Sequence, residues 1–181
     1  MNTPAPAIVR MPAEWEPHSA VHLAWPSNTA DWPGKFSPIP WVFTEFIRQI
    51  TLSEMVRLAV TSPRHEAQAR RCLKKAGVSL ERVQFIATPL DRGWMRDISP
   101  FFVQKTAGDE RWREAIHFSF TGWAKYDNHQ QDACWPEKVA KQLDYPLISA
   151  DYRQRRVVLE GGSVDGNGAG TLLVTEECLL D

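Results

Sequence analysis

Charge of one sign is missing from this 181-residue chain: 21 Lys and Arg stand against 22 Asp and Glu, a formal net charge of −1. So even a balance leaves no electrostatic footprint for nucleic acid or an anionic membrane surface. Long apolar runs are missing too, since no stretch approaches the roughly 18 residues that a membrane-spanning helix needs. Neither a nucleic-acid partner nor a membrane partner is expected. Cysteine is scarce, with Cys72, Cys134 and Cys178 set far apart. An odd and scattered set does not build a disulfide framework, and it suits a reducing compartment, so a cytoplasmic protein is expected. The N-terminal stretch MNTPAPAIVRMPAEWEPH has no basic region followed by an apolar core, and it does not read as a signal peptide. No Cys-x-x-Cys pair and no Gly-x-x-x-x-Gly-Lys loop occurs. Neither a metal site nor a nucleotide-binding loop is therefore expected.

What is present is an ordinary globular composition, 43% hydrophobic and 24% charged, with an unusual eight tryptophans. Trp supplies large rigid area and a ring face that attracts cations, so Trp beside carboxylates is worth following. The pattern predicts strands at 20–25, 55–61 and 82–88, and helices over 41–54 and 62–77. The second helix is well punctuated, with Ser62 as cap, Pro63 in the first turn and Gly77 past the end. Residues 98–104 and 113–120 read as a hairpin joined through 105–112. A helix follows over 127–144, interrupted at Pro136. Strands are then expected at 155–162, ending in a glycine pair, and at 171–180. The strands alternate with helices, but hairpins intervene, so the recurring unit reads as two strands, a helix and a strand in an α/β fold. No internal boundary divides residues 1–181, and the apolar last strand would need covering.

Three groups could carry chemistry. In DRGWMRDISPFF (91–102), Asp97 stands just before a strand, where an ionised carboxylate could hold a cationic ligand with Trp94 against its face. An internal Arg96–Asp97 charge network with Trp94 as a core plug fits the same residues. In VVLEGGSVDGNGAG, Glu160 ends an apolar strand, where burial is costly without a partner. Gly161 and Gly162 beside it leave room for a ligand or for a sharp turn of the chain. The DGNG fragment lacks the downstream bidentate Glu of a calcium loop. In FTGWAKYDNHQQD, Trp123, Tyr126, Asp127 and His129 crowd a loop of the kind that forms recognition surfaces, with His129 read as a cap or surface residue. The three cysteines sit on a helix, beside Trp135 and within an apolar strand, and none reads as a nucleophile.

Taken together, MPAEWEPHSAVHLAWP, WMRDISPFFV and LEGGSVDGNGAGTLLVTEECLL resemble the agmatine deiminase and Porphyromonas-type peptidylarginine deiminase family, over nearly the whole chain. The resemblance implies a pentein, a fan of strand–strand–helix–strand modules around a pseudo-fivefold axis, here about half of it and N-terminal. It implies hydrolysis of a guanidinium to a ureido product and ammonia, by way of a Cys thiouronium intermediate, with no cofactor. The substrate would be a small guanidinium compound, agmatine (giving N-carbamoylputrescine) or an arginine derivative such as peptidyl-arginine (giving citrulline). Asp97 and Glu160 match the guanidinium-binding carboxylates, Trp94 matches the aromatic lining, and Gly161 and Gly162 flank it. The family's nucleophilic Cys and general-base His have no counterpart in these residues, so the chain alone is expected to be inactive. The departure LDRGWMRDISP, where agmatine deiminases usually carry Asn-Asp-Ala before the Trp and Thr-Gly-Pro after the Asp, leaves the substrate open, as is homo-oligomer formation. A non-catalytic pentein acting as a binding module, and an α/β domain whose carboxylates are structural, are the competing readings.

Overall fold

Alternation of apolar and polar residues, with Gly and Pro at the joints, sets the elements of the structure, a computed structural model that describes residues 7–180. In chain order the first half holds β1 (Ile8–Arg10), β2 (Ala20–Ala24), α1 (Ile39–Ile50), β3 (Met55–Val60), α2 (Pro63–Lys75) and β4 (Val83–Ala87). The middle holds α3 (Met95–Ile98), β5 (Phe101–Ala107), β6 (Glu110–His117), α4 (Gln130–Ala133) and α5 (Trp135–Gln142). The remainder holds β7 (Leu147–Ser149), β8 (Asp151–Tyr152), β9 (Arg155–Arg156), β10 (Val164–Gly166), β11 (Leu172–Val174) and α6 (Glu176–Leu180). These elements form two compact units that interleave along the chain. No helix among the described residues is long and apolar enough to cross a membrane.

One unit comprises Pro17–Met95 and Lys125–Asp132. Its sheet is parallel, in the order β2-β3-β4, with Leu23 opposite Leu58 and Leu58 opposite Phe85. Parallel neighbours need crossovers, and α1 and α2 supply them. Trp25, Ile47, Leu58, Leu73 and Val83 bury their side chains together between the sheet and the helices, each worth about 1.5–3 kcal/mol for an aliphatic side chain so buried. Ser62 caps α2 by accepting from the His65 N–H at 3.2 Å, and Pro63 opens its first turn. Gly77 follows at φ +74°, a left-handed position suited to glycine. Here the chain runs strand–helix–strand–helix–strand, without the hairpin expected in every module.

The other unit comprises residues up to Glu16, Arg96–Ala124 and Ala133–Asp181. Its sheet has the order β1-β5-β6-β7, antiparallel except between β6 and β7. Strands β5 and β6, helix α5 and strand β7 follow the expected two strands, helix and strand. The β5–β6 turn is tighter than the 105–112 connection predicted. Ala107 pairs with Glu110, leaving Gly108 (φ +59°) and Asp109 between them. Helix α5 starts at Trp135 with Pro136 in its first turn, so the interruption falls at Cys134 rather than at the proline.

Two expected strands are corrected. Residues 155–162 form only the short β9 and a single bridge from Val158 to Ser119, before the chain turns at the glycine pair. At the end only Leu172–Val174 is strand, pairing with β10, and Glu176–Leu180 is helical, which places Cys178 on a helix. Glu176 and Glu177 suit a helix first turn, where the N-terminal end favours negative charge. Leu172, Leu173 and Val174 are all exposed, in keeping with a strand that needs covering.

Candidate active site

Pro100 blocks the continuation of a helix and turns Ser99 toward an extended conformation, so the single turn α3 stops at Ile98 before β5 begins. Asp97 therefore lies on a helical turn, not directly at a strand mouth. Met95 and Ile98, three residues apart on that turn, are buried, while Arg96 is exposed and Asp97 half-buried. The buried Trp135 indole donates to Ser99 Oγ at 3.1 Å and fastens the segment beyond Asp97. Arg96 forms ion pairs with Glu14 and with Asp165 at 2.8 Å and donates to the Val164 carbonyl at 3.2 Å. The charge network expected between Arg96 and Asp97 thus runs instead from Arg96 to Glu14 and Asp165.

Glu160 precedes the 3-10 turn Gly161–Ser163, and its carbonyl accepts from both the Ser163 N–H (3.1 Å) and the Ser163 hydroxyl (2.7 Å). The residue is 5% exposed. The two glycines following it do not open a space. A Cβ at Gly161 would meet the Arg96 carbonyl oxygen, and one at Gly162 would meet Asp97 Oδ1. The room is taken by the Arg96–Asp97 stretch itself, and the Gly162 N–H donates to Asp97 Oδ1 at 3.2 Å. Glycine is required here for close approach of two segments 65 residues apart in sequence.

This approach brings two carboxyl groups under each other's influence. Burial pushes the Asp97 carboxyl up, against the Gly162 N–H and the Arg96 charge, which pull it down. Burial also pushes Glu160 up, its own main-chain N–H opposes this, and the Asp97 charge raises it further. Among the described residues neither carboxylate forms an ion pair. Two desolvated carboxyls sharing one neighbourhood favour a cation that can donate to both, and a planar guanidinium has the geometry for it.

Trp94 belongs to the other unit. Its ring meets Tyr126 edge-on at 5.2 Å between centroids. The Arg92 guanidinium lies 5.3 Å from the Trp94 ring centre and 4.9 Å from that of Tyr126. Arg92 also donates to Asp31 at 2.6 Å and to Asn128 Oδ1 at 3.2 and 3.0 Å. The recognition loop is therefore divided. Tyr126 joins Trp94, whereas Trp123 packs on Phe120, in the unit that holds Asp97 and Glu160, at 5.5 Å. Asp127 accepts through its carbonyl from the Gln130 side chain at 2.7 Å, and the His129 N–H donates to Gln130 Oε1 at 3.3 Å.

Sequence reasoning passed over several residues. Glu14 and Glu16 of the MPAEWEP segment are anchors. Glu14 holds Arg96, and Glu16 accepts from the Ala13 N–H at 2.8 Å and pairs with Arg10, whose Nε donates to the Gly168 carbonyl at 2.7 Å. Asp31 and Asp132 in the other unit were also unmarked, because their partners lie 61 and about 40 residues away. His18 and His22 have His-x-x-x-His spacing, overlooked as a possible metal pair. His22 lies on β2, whereas His18 lies before that strand and meets Glu54 at 3.4 Å, so the two are not neighbours on one helical turn. Burial first, and Arg57 second, push His22 down to about 4. No group of acidic, His or Cys residues able to hold a metal occurs among the described residues.

A profile of the Porphyromonas-type peptidyl-arginine deiminase family matches residues 10–181. Agmatine deiminases of Ectopseudomonas mendocina and Pseudomonas aeruginosa are 31% and 33% identical over 99% of this chain and 47% of their own length. The solved agmatine deiminase of Enterococcus faecalis superposes with a TM-score of 0.78 at 26% identity, covering 96% of this chain and 45% of that one. The chain spans about half the length of the curated relatives it matches. It has the mixed α/β fold of those structures, and it belongs to the Porphyromonas-type peptidyl-arginine deiminase family.

Proposed function

We propose that Asp97 and Glu160 hold the guanidinium of a small substrate, agmatine or an arginine derivative, for hydrolysis to a ureido product and ammonia. The observation that carries the reading is the packing of the turn after the buried Glu160 against the Arg96–Asp97 stretch, with the Gly162 N–H on Asp97 Oδ1 and neither carboxylate in an ion pair among the described residues. A guanidinium donating to both would repay their desolvation and keep its carbon oriented for attack. Trp94, in the other unit, is proposed as an aromatic lining residue on the strength of the family resemblance, and Arg92 lies against its ring. Family membership, and relatives named agmatine deiminase, support a hydrolase acting on linear amidines.

A thiolate adds to the guanidinium carbon, and the C–N bond breaks as a proton carrier protonates the departing ammonia. Water then adds to the resulting thiouronium and loses both its protons, one restoring the proton carrier and one passing to the departed ammonia, as the C–S bond breaks to release the ureido product and regenerate the thiolate. In this proposal none of Cys72, Cys134 and Cys178 is that thiolate. Cys72 lies on α2 in the other unit from the carboxyls, Cys134 is exposed before α5, and Cys178 lies on α6. The thiolate and the proton carrier come from outside these residues, and the modules here form part of a pentein fan.

Titration calorimetry of the 181-residue chain with agmatine and with a blocked arginine peptide, alongside an ammonia assay, tests this. Saturable binding of at least one guanidinium compound, none of 1,4-diaminobutane, and no ammonia release are expected. Absence of guanidinium binding contradicts the carboxylate reading, and ammonia release lost on Cys72→Ser, Cys134→Ser or Cys178→Ser contradicts the exclusion of these thiols.

A further inference from the structure

Asp132 is fully buried at 0% exposure and comes from α4, but its partners are not those of a helix cap. Its carboxylate instead accepts three successive main-chain N–H groups from a distant loop: Asp91 at 2.8 Å, Arg92 at 3.0 Å and Gly93 at 3.1 Å. The loop returns the connection. The Asp91 side chain accepts from the Gln131 N–H at 2.8 Å, and the Asp91 carbonyl accepts from the Asn28 amide at 2.9 Å. Gly93 follows at φ +79°, where an added Cβ would come 2.7 Å from the Ala24 Cβ. The loop backbone is thus pinned at three consecutive residues immediately before Trp94.

The side chains repeat the arrangement. Arg92 leaves this pinned backbone and lies over Trp94 and Tyr126, held by Asp31 and Asn128. The Arg92–Asp31 pair is well shielded, with side chains 11% and 5% exposed, so its geometry is not that of a loose surface ion pair. Asp132 holds the backbone just before Trp94, and the Arg92 guanidinium lies over the Trp94 ring.

We infer that Asp132 is a positioning residue for Trp94, acting through the backbone of residues 91–93 to set the ring that the substrate cation meets. The inference rests on the proposed role of Trp94 only in its last clause. The positioning itself is measurable without substrate. Neither a helix cap nor a generic buried acid explains the pattern, because three bonds go to consecutive N–H groups of one remote loop.

The test is a heteronuclear NMR comparison of the chain with Asp132→Asn, the Trp94 indole N–H being identified by its loss in Trp94→Phe. Asparagine keeps the shape but has a single acceptor oxygen and turns an NH2 toward the loop N–H groups. The Trp94 indole and the amides of Asp91, Arg92 and Gly93 are expected to shift, and the affinity for agmatine to fall at least tenfold. Leu73→Ala, a core truncation in the same unit, supplies a control destabilised without touching the loop. It should leave the Trp94 indole and the agmatine affinity at wild-type values. Asp132→Glu keeps the charge, displaces the carboxylate by one methylene, and covers the case in which the Asn variant does not fold. An unmoved Trp94 indole in the folded Asn or Glu variant overturns the inference. A shifted indole in a protein whose wild type binds no guanidinium compound upholds the positioning and overturns the proposed function instead.

Discussion

Asp97→Asn is expected to weaken guanidinium binding by roughly 30-fold to 1,000-fold, about 2–4 kcal/mol, while the fold survives. The size follows from what the substitution removes. A carboxylate sharing a shielded site with Glu160 supplies a charge-assisted bond, and an amide would turn an N–H2 donor toward a group that is itself all donors. The fold survives because Asp97 is half-buried and accepts one main-chain bond, from Gly162, which the amide oxygen can still accept. Glu160→Gln separates the two roles further. It should lose binding to a similar extent yet melt no lower than wild type, since removing a desolvated charge relieves the cost of burying it. Titration calorimetry and a thermal melt on each variant read both quantities. Near-normal affinity in Asp97→Asn would contradict the assignment of that carboxylate.

Gly161→Ala carries the largest expected effect on stability, a loss of about 3 kcal/mol or more. An alanine Cβ would meet the main-chain oxygen of Arg96, which is not the end of a flexible side chain and cannot swing away. Either the 3-10 turn or the Arg96–Asp97 stretch has to move, so guanidinium affinity should fall with stability. Gly77→Ala makes the comparison informative. Gly77 has φ +74° but nothing within 4 Å of an added Cβ, so only backbone strain of about 1 kcal/mol is expected there. Chemical denaturation of the two variants should show the ordering plainly. Equal losses would mean that close packing against Arg96 is not what requires Gly161.

Much of this architecture was legible in the sequence, for reasons that can be stated. The helix at Pro63–Lys75 was readable because its signals are local: Ser62 caps it, Pro63 starts it and Gly77 ends it. The parallel strands at 55–60 and 83–87 stood out as short apolar runs bounded by polar loops. Local pattern failed where a long-range partner decides the outcome. Residues 157–160 are as strand-like as those of β3, yet they are committed to one bridge with Ser119 and to the turn that packs Gly161 against Arg96. Leu179 and Leu180 continue an apolar run that reads as strand, but the two glutamates before them start a helix.

The site shows the same division. Asp97 and Glu160 could be marked from sequence because a carboxylate beside apolar residues signals a burial cost. That Gly161 and Gly162 make room for the Arg96–Asp97 backbone rather than for a ligand could not be seen, since nothing local ties residues 65 apart. Asp132 was hidden for the same reason, its three bonds being formed about 40 residues away. The one available signal was an acidic residue on the apolar side of a helix segment, next to an alanine.

The central claim, that Asp97 and Glu160 are a cation-holding pair, is tested most directly by following their side-chain carboxyl carbons by NMR through a pH titration, with and without agmatine. Burial lifts both groups in the free chain, so each should titrate above its ordinary carboxyl range. A guanidinium binds the ionised forms, and by linkage its presence must draw both titrations to lower pH. The account predicts raised values without agmatine and a downward shift of both groups with it. Two carboxyls that titrate in the ordinary range and do not respond to agmatine would contradict it.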